Sequence, residues 1–244
     1  MKKFISIMLA VVMTMSMAVS AFASDRVMVQ GAAEIIEDND RVRVAQVIDG
    51  NDIYRATFDK QKNTVTTERL LDDGTLLASA KVDLNTKMIT VTNPNAGTMT
   101  TETVISKTTE SKYAYEYTNT NPREWKLVRP KYAEETNEGG YYFRTKQNST
   151  NRDDLDDFRT TVNSIASAES ELKQSIGASS FLAGFAVGFA VGTGGSGFGI
   201  ALSAYIASLG YSLAAQAKAN EIGELQDDAY STYYDVFYES TVYF

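Results

Sequence analysis

The 244-residue chain contains no cysteine and no histidine. These absences exclude disulfides, thiolate and imidazole metal sites, cysteine nucleophiles and any triad that needs a histidine base. Basic residues are also sparse: 23 Lys and Arg stand against 31 Asp and Glu, for a net charge of −8. Nucleic acid is therefore not an expected partner, because binding its phosphates takes a basic face. The scattered carboxylates show no spacing that marks a general acid and base. The expectation is a protein that is not an enzyme, with no cofactor and no metal. Proline is rare, and all three (Pro94, Pro122, Pro130) fall in the first half of the chain or just past it.

What is present begins with a targeting signal. Lys2 and Lys3 precede an uncharged apolar run from Phe4 to Val19, and Ala21-Phe22-Ala23 forms a small-x-small cleavage site. This is the pattern of a removed signal peptide with cleavage after Ala23. Removing the two lysines takes the net charge from −8 to −10. The expected localisation is secreted, with a membrane-associated protein as the alternative. An exported chain without cysteine depends on core packing rather than disulfide staples.

Residues 24–148 are rich in Thr, Val, Tyr and Asn and read as an antiparallel β domain. Arg41-Val42-Arg43-Val44 alternates polar and apolar, as a half-buried strand does. Turn signals follow at Asp49-Gly50-Asn51-Asp52, Asp59 to Asn63 and Asp72-Asp73-Gly74. Ala56-Thr57-Phe58-Asp59 … Val65-Thr66 resembles Ala80-Lys81-Val82-Asp83 … Ile89-Thr90 at an offset of 24 residues, which predicts a repeated hairpin in a meander. Tyr113, Tyr115, Tyr117, Tyr141, Tyr142 and Phe143 offer either a binding face for sugar or a headgroup, or one strand face packed on a core.

Residues 149–220 read as an amphipathic helix followed by an uncharged helical hairpin. Thr150 with Asp153 suggests a capping-box start, and Asp153, Asp154, Asp156 and Asp157 suit the positive end of the helix dipole. Leu155, Phe158, Val162, Ile165, Leu172 and Ile176 make an apolar stripe that Glu169 interrupts. Residues 221–244 form an acidic tail crowded with tyrosine, which either continues the hairpin's second arm or packs on the β domain. The predicted fold class is α+β: an antiparallel β meander or sandwich, then a helical region containing a Gly/Ala-rich hydrophobic hairpin.

The most distinctive segment is Gln174–Ala217, a run of 44 residues without a charge. Two arms, 174–191 and 200–217, flank a glycine loop at 192–199. Each arm makes roughly 27 Å of helix at ~1.5 Å per residue, close to the thickness of a hydrocarbon core. Gly184, Gly188 and Gly192 recur at four-residue spacing and predict a flat seam for close helix packing, while Phe181, Phe185 and Phe189 project beside it. Gly194, Gly195, Gly197 and Gly199 complete the hinge, and Ile200, Leu202, Ile206 and Leu209 supply the apolar surface of the second arm. Two readings stand here: a membrane-inserting hairpin, or the buried core of a soluble bundle. The missing charge favours the first, since a soluble helix normally keeps one charged face. The seam also allows self-association.

Gly192-x-Gly194-x-x-Gly197 matches a dinucleotide fingerprint, but no βαβ alternation surrounds it. Ser170-x-x-Lys173 lacks the companion motifs of penicillin-recognising enzymes.

The layout of signal peptide, Thr/Tyr-rich β region, amphipathic helix and the Gly184–Gly199 segment with its flanking arms resembles the large non-lantibiotic geobacillin-type bacteriocins. The resemblance implies a secreted antibacterial protein that acts on a target-cell membrane. An acidic protein is not drawn to anionic lipid, so a surface receptor or acidic surroundings would assist it. The competing expectation is a cell-surface structural or adhesion protein anchored by the same hairpin.

Overall fold

The computed structural model describes residues 32–94, 98–103, 112–130, 141–240 and 242–243. The predicted signal peptide and its cleavage site lie outside the described residues. Seven strands follow the alternating pattern: β1 (Glu34–Asp38), β2 (Val42–Asp49), β3 (Asp52–Asp59), β4 (Thr64–Leu71), β5 (Leu76–Asp83), β6 (Met88–Asn93) and β7 (Thr98–Thr103). They pair antiparallel in strict sequence order, so the sheet is a meander.

The 24-residue repeat has a local cause. Asp59 Oδ1 accepts from the backbone N–H groups of Gln61 and Lys62 at 3.1 and 2.9 Å. Asp83 Oδ1 does the same for Asn85 and Thr86 at 2.8 and 3.1 Å. Each turn closes on a residue of positive φ, Asn63 at 54° and Lys87 at 61°. The aspartate replaces backbone bonds that the turn cannot make. Asn63 Nδ2 then donates to Asn85 Oδ1 at 2.8 Å, which ties one turn to the next.

Period two sorts the sheet into two faces. On one face the register aligns Ala45, Ala56, Thr67 and Ala80 across β2 to β5, and all four are fully buried. A row of small side chains lets a helix approach the sheet closely. The opposite face aligns Thr57, Thr66, Lys81 and Thr90.

Four helices follow a second, smaller sheet. That sheet has β8 (Ala114–Tyr117), β9 (Glu124–Val128) and β10 (Tyr142–Lys146), and it is completed by β11 (Val242–Tyr243) in the order β11-β10-β9-β8. The helices are α1 (Arg152–Ile176), α2 (Ala178–Val191), α3 (Gly195–Ser208) and α4 (Leu213–Glu239). The architecture is thus α+β, an antiparallel meander followed by a helical region that contains the uncharged hairpin α2–α3.

The stripe read for α1 is buried along its length, together with Ala168 and Glu169. Its start differs from the predicted capping box. Asn151 occupies the cap position, and Asn148 Oδ1 accepts from the N–H groups of Thr150 and Asn151 at 2.7 and 3.0 Å. An asparagine turn before the helix replaces the Thr150–Asp153 box. The tail does not form a separate segment: one helix runs from Leu213 to Glu239, and Val242 and Tyr243 then join the small sheet.

Two apolar cores result. The first joins the small-residue face of the meander to α2, α3 and the start of α4. The second joins the small sheet to the first half of α1 and the second half of α4.

Candidate functional site

The charge-free hairpin lies at the centre of the molecule. Helix α2 packs on β4, β5 and β6, whereas α3 lies between β2–β4 on one side and α4 on the other. Twelve of the fourteen α3 residues are buried. A helix enclosed all round has no need of a charged face, which accounts for the missing charge of α3 without reference to lipid.

The glycine spacing does create a close seam, and α3 fills it. A Cβ on Gly184 would fall 2.6 Å from Leu202 Cδ1, and one on Gly188 would fall 2.6 Å from two carbons of the Phe198 ring. At Gly192 the obstacle is backbone: a Cβ would meet the Phe198 nitrogen at 2.6 Å. The phenylalanines beside the seam interlock, with Phe181–Phe185 centroids 4.3 Å apart, Phe185–Phe198 5.0 Å and Phe189–Phe198 4.9 Å. Of the predicted hairpin residues, Phe181, Gly184, Phe185, Gly188, Gly195, Gly197, Gly199, Leu202 and Ile206 are buried. Phe189, Gly192, Gly194, Ile200 and Leu209 are half-buried.

Two boundaries differ from the sequence reading. Each arm is a helix of 14 residues rather than about 18, so each spans only about 21 Å. The arms are cut short by Gly177 (φ +79°) and Gly210 (φ +83°), whose left-handed backbone turns the chain out of the helix. No described helix is long and apolar enough to cross a membrane. The glycine loop is also shorter than the 192–199 expected. Only residues 192–194 are non-helical, and Gly195, Gly197 and Gly199 lie in the first turns of α3.

Those glycines serve a second seam that the sequence reading missed. A Cβ on Gly223 of α4 would stand 2.5 Å from the Gly195 carbonyl oxygen and 2.8 Å from Gly199 Cα. The backbones of α3 and α4 therefore touch. Ala215, Ala219 and Gly223 repeat at four-residue spacing and are all buried, which is the signal that was available. The charges of Lys218, Glu221 and Glu224 between them disguised it. Asp227, one turn further on, accepts from the Ser196 backbone N–H through Oδ2 at 2.7 Å. It satisfies an N-terminal donor of α3 that Gly194 at the cap position has no side chain to reach.

Polar bonds pin the hairpin's corner. Tyr211 Oη donates to the Ile176 carbonyl oxygen at 2.9 Å and pairs with Ser180 Oγ at 3.0 Å. Lys87 Nζ donates to Ser179 Oγ at 2.9 Å, linking a meander turn to the start of α2. Inside the hairpin the Tyr205 hydroxyl is buried with no hydrogen-bond partner among the described residues. Desolvation pushes its ionisation well above the usual tyrosine range, so it stays neutral.

The tyrosines divide between core and surface. Tyr113 and Phe143 are buried in the second core, while Tyr117, Tyr141 and Tyr142 are exposed and Tyr115 lies between. The tail tyrosines surround Arg129, whose guanidinium carbon lies 5.4, 5.6 and 5.4 Å from the ring centroids of Tyr230, Tyr233 and Tyr234. Arg129 Nη2 donates to Tyr234 Oη at 2.9 Å. A buried cation thus fastens α4 to the small sheet through ring faces.

Among the described residues no three acidic side chains gather as a metal site. Comparison with family models, with curated proteins and with solved structures finds no match.

Proposed function

We propose that the chain is a secreted bacteriocin-like antibacterial protein that carries its membrane-active hairpin folded inside a water-facing shell. The supporting observation is that most of the α2–α3 hairpin, the middle of a 44-residue charge-free segment, is buried against the meander, α1 and α4. A segment stored in this way stays soluble in transit and becomes membrane-active when the shell opens. Gly177 and Gly210 are the bends at which each arm lengthens: straightening them extends the helices over 174–191 and 200–217. Each arm then reaches about 27 Å, against a hydrocarbon core of about 30 Å. The target-cell membrane is the partner, and a surface receptor or acidic surroundings supply the opening.

Substituting a seam glycine does not test this reading, because the same glycines hold the soluble fold together. Ala186→Lys does. Ala186 is half-buried at the middle of α2, so a lysine there can snorkel to water in the folded state. In a bilayer centre the same charge costs about 3 kcal/mol. The parent protein is expected to release dye from lipid vesicles, and A186K is expected to lose that release while keeping its melting temperature within a few degrees. Equal leakage from both proteins would sink the hairpin as the inserting element. The alternative reading is a cell-surface structural or adhesion protein. It expects no leakage in any lipid and places the protein with the producing cell rather than in the medium.

A further inference from the structure

The second region of interest lies away from the hairpin, where β8 parts from α1. Tyr115 and Tyr117 point to one face of β8, and Tyr113 immediately precedes the strand. Tyr113 is buried against Phe158, with ring centroids 6.4 Å apart. Tyr115 is half-buried and Tyr117 is 42% exposed. The row therefore emerges from the core into a shallow cleft, open to solvent, of about 540 Å³. Its aromatic wall is ordered. The Tyr115 and Tyr117 rings are nearly parallel at 6.2 Å, and Tyr117 lies 4.7 Å from Trp125.

The opposite wall is one polar face of α1. Arg159, Asn163, Ser164 and Ser167 recur there at helical spacing, and no carboxylate lines the cleft. Tyr115 Oη donates to Asn163 Oδ1 at 3.0 Å, which fixes the amide and leaves its two N–H donors without a partner among the described residues. Thr160 and Ser164 donate to the helix carbonyls of Asp156 and Thr160, so they present acceptor lone pairs. Arg159 pairs only with Asp156 among the described residues, at 3.3 Å in its own turn. A second cation, Arg123, stands 5.3 Å from the Tyr117 ring centroid. Aromatic faces opposite an amide, hydroxyls and a guanidinium suit a ring with an apolar C–H face and polar edges. Arg159 is the cation on the lining and no carboxylate lies there, so an acidic group that competes with Asp156 for Arg159 is favoured.

We infer that the cleft between β8 and α1 binds a saccharide carrying an acidic group, with the sugar ring against Tyr115 and Tyr117 and the anion against Arg159. The site stands whether or not the hairpin enters membranes. In a toxin it would recognise an acidic surface polysaccharide.

Trp125 is the only tryptophan and it touches Tyr117, so its emission reports on the cleft. The full chain is titrated with tetragalacturonate and with maltotetraose as the neutral control, by tryptophan emission and by calorimetry. The expected result is a saturable change with tetragalacturonate and at least tenfold weaker binding of maltotetraose. R159Q and N163A are each expected to weaken tetragalacturonate binding at least tenfold with an unchanged melting temperature. Three results would overturn the assignment: no saturable response to tetragalacturonate, equal binding of the neutral sugar, or variants that titrate like the parent. No membrane enters this experiment, so its failure is distinct from a failure of the leakage test.

Discussion

The two cores of this molecule reach burial by opposite routes. The meander–hairpin core brings backbones together. Ala56 and Ala80 on the sheet and glycines on α2, α3 and α4 remove side-chain volume at its close contacts. The core between the small sheet and the ends of α1 and α4 fills a wider space with Trp125, Phe143, Phe158 and Tyr233. There Phe143 packs edge-on against Tyr233 at 4.8 Å and Phe237 at 5.4 Å. Where backbones touch, as at Gly223, the first core has no room for an added methyl group, whereas the second depends on filling its volume with rings. Within the charge-free segment, α3 is enclosed by the meander, α2 and α4 and has no room for a long charged side chain.

Removing volume from the aromatic core is expected to have the largest effect. Phe143 is fully buried, and Phe143→Ala should cost about 3–5 kcal/mol through lost transfer energy and the cavity left behind. Denaturant unfolding measures it, and a loss below about 1 kcal/mol would show that the region repacks freely.

The complementary break adds one methyl group to the close-packed core. Gly223→Ala sets a Cβ against the backbone of α3, where relief requires moving a helix, and overpacking of that kind costs about 1–3 kcal/mol. Gly188→Ala sets the same methyl against the Phe198 side chain rather than a backbone, so relief needs no helix to move, and it gains about 1 kcal/mol of helix propensity. Gly223→Ala is therefore expected to destabilise clearly more than Gly188→Ala in matched melts. The reverse order would mean that the α2–α3 seam, not the α3–α4 contact, is the tighter one.

The smallest effects are electrostatic, and they also separate the two regions. In the meander, Lys60 beside Asp38 and backbone donors at Asp59 and Asp83 hold these carboxyls below the usual range. Their stabilisation is present above the unfolded aspartate value of about 3.9 and is lost as pH falls through the lower folded values. At the helical end Glu239 is raised, first by its hydrogen bond with Asp154 and then by repulsion from Asp154 and Asp235. Its stabilisation is present below the unfolded glutamate value of about 4.3 and is lost as pH rises through the higher folded value. Thermal melts across pH should show D59N/D83N flattening the acid limb below about pH 4. E239Q should instead reduce the pH dependence just above it. All these groups sit at the surface, so the shifts should be a few degrees at most and should shrink in salt.

Much of the architecture was legible from local pattern. Period-two alternation and Asp-based turns gave the meander its strands, and the 24-residue offset marked a turn that occurs twice with the same hydrogen bonds. The stripe of α1 was legible for the same reason: the positions that recur on one face are the ones that are buried. Harder to read were the features that depend on a distant partner. The small row Ala45–Ala56–Thr67–Ala80 is scattered over four strands, and only their register aligns it. The spacing Ala215–Ala219–Gly223 was masked by the charges on the other side of the same helix. Asp227 as the cap of α3 joins positions 31 residues apart.

The aromatic row at Tyr113–Tyr117 shows the same division. Its period was plain, but burial at one end and an open cleft at the other follow from Phe158 of α1 covering Tyr113 while Tyr117 is left exposed. By itself the sequence determined the run of strands followed by helices, the apolar stripe of α1, and that one long segment carries no charge. Only the tertiary structure decided what that segment faces. Absence of charge requires a partner that is not water, and a sheet face of Ala56, Ala80, Val47, Val65 and Val82 meets that requirement as well as a lipid tail. Local periodicity records how a chain folds on itself over a few residues, whereas the identity of a distant neighbour is fixed by register and packing between elements.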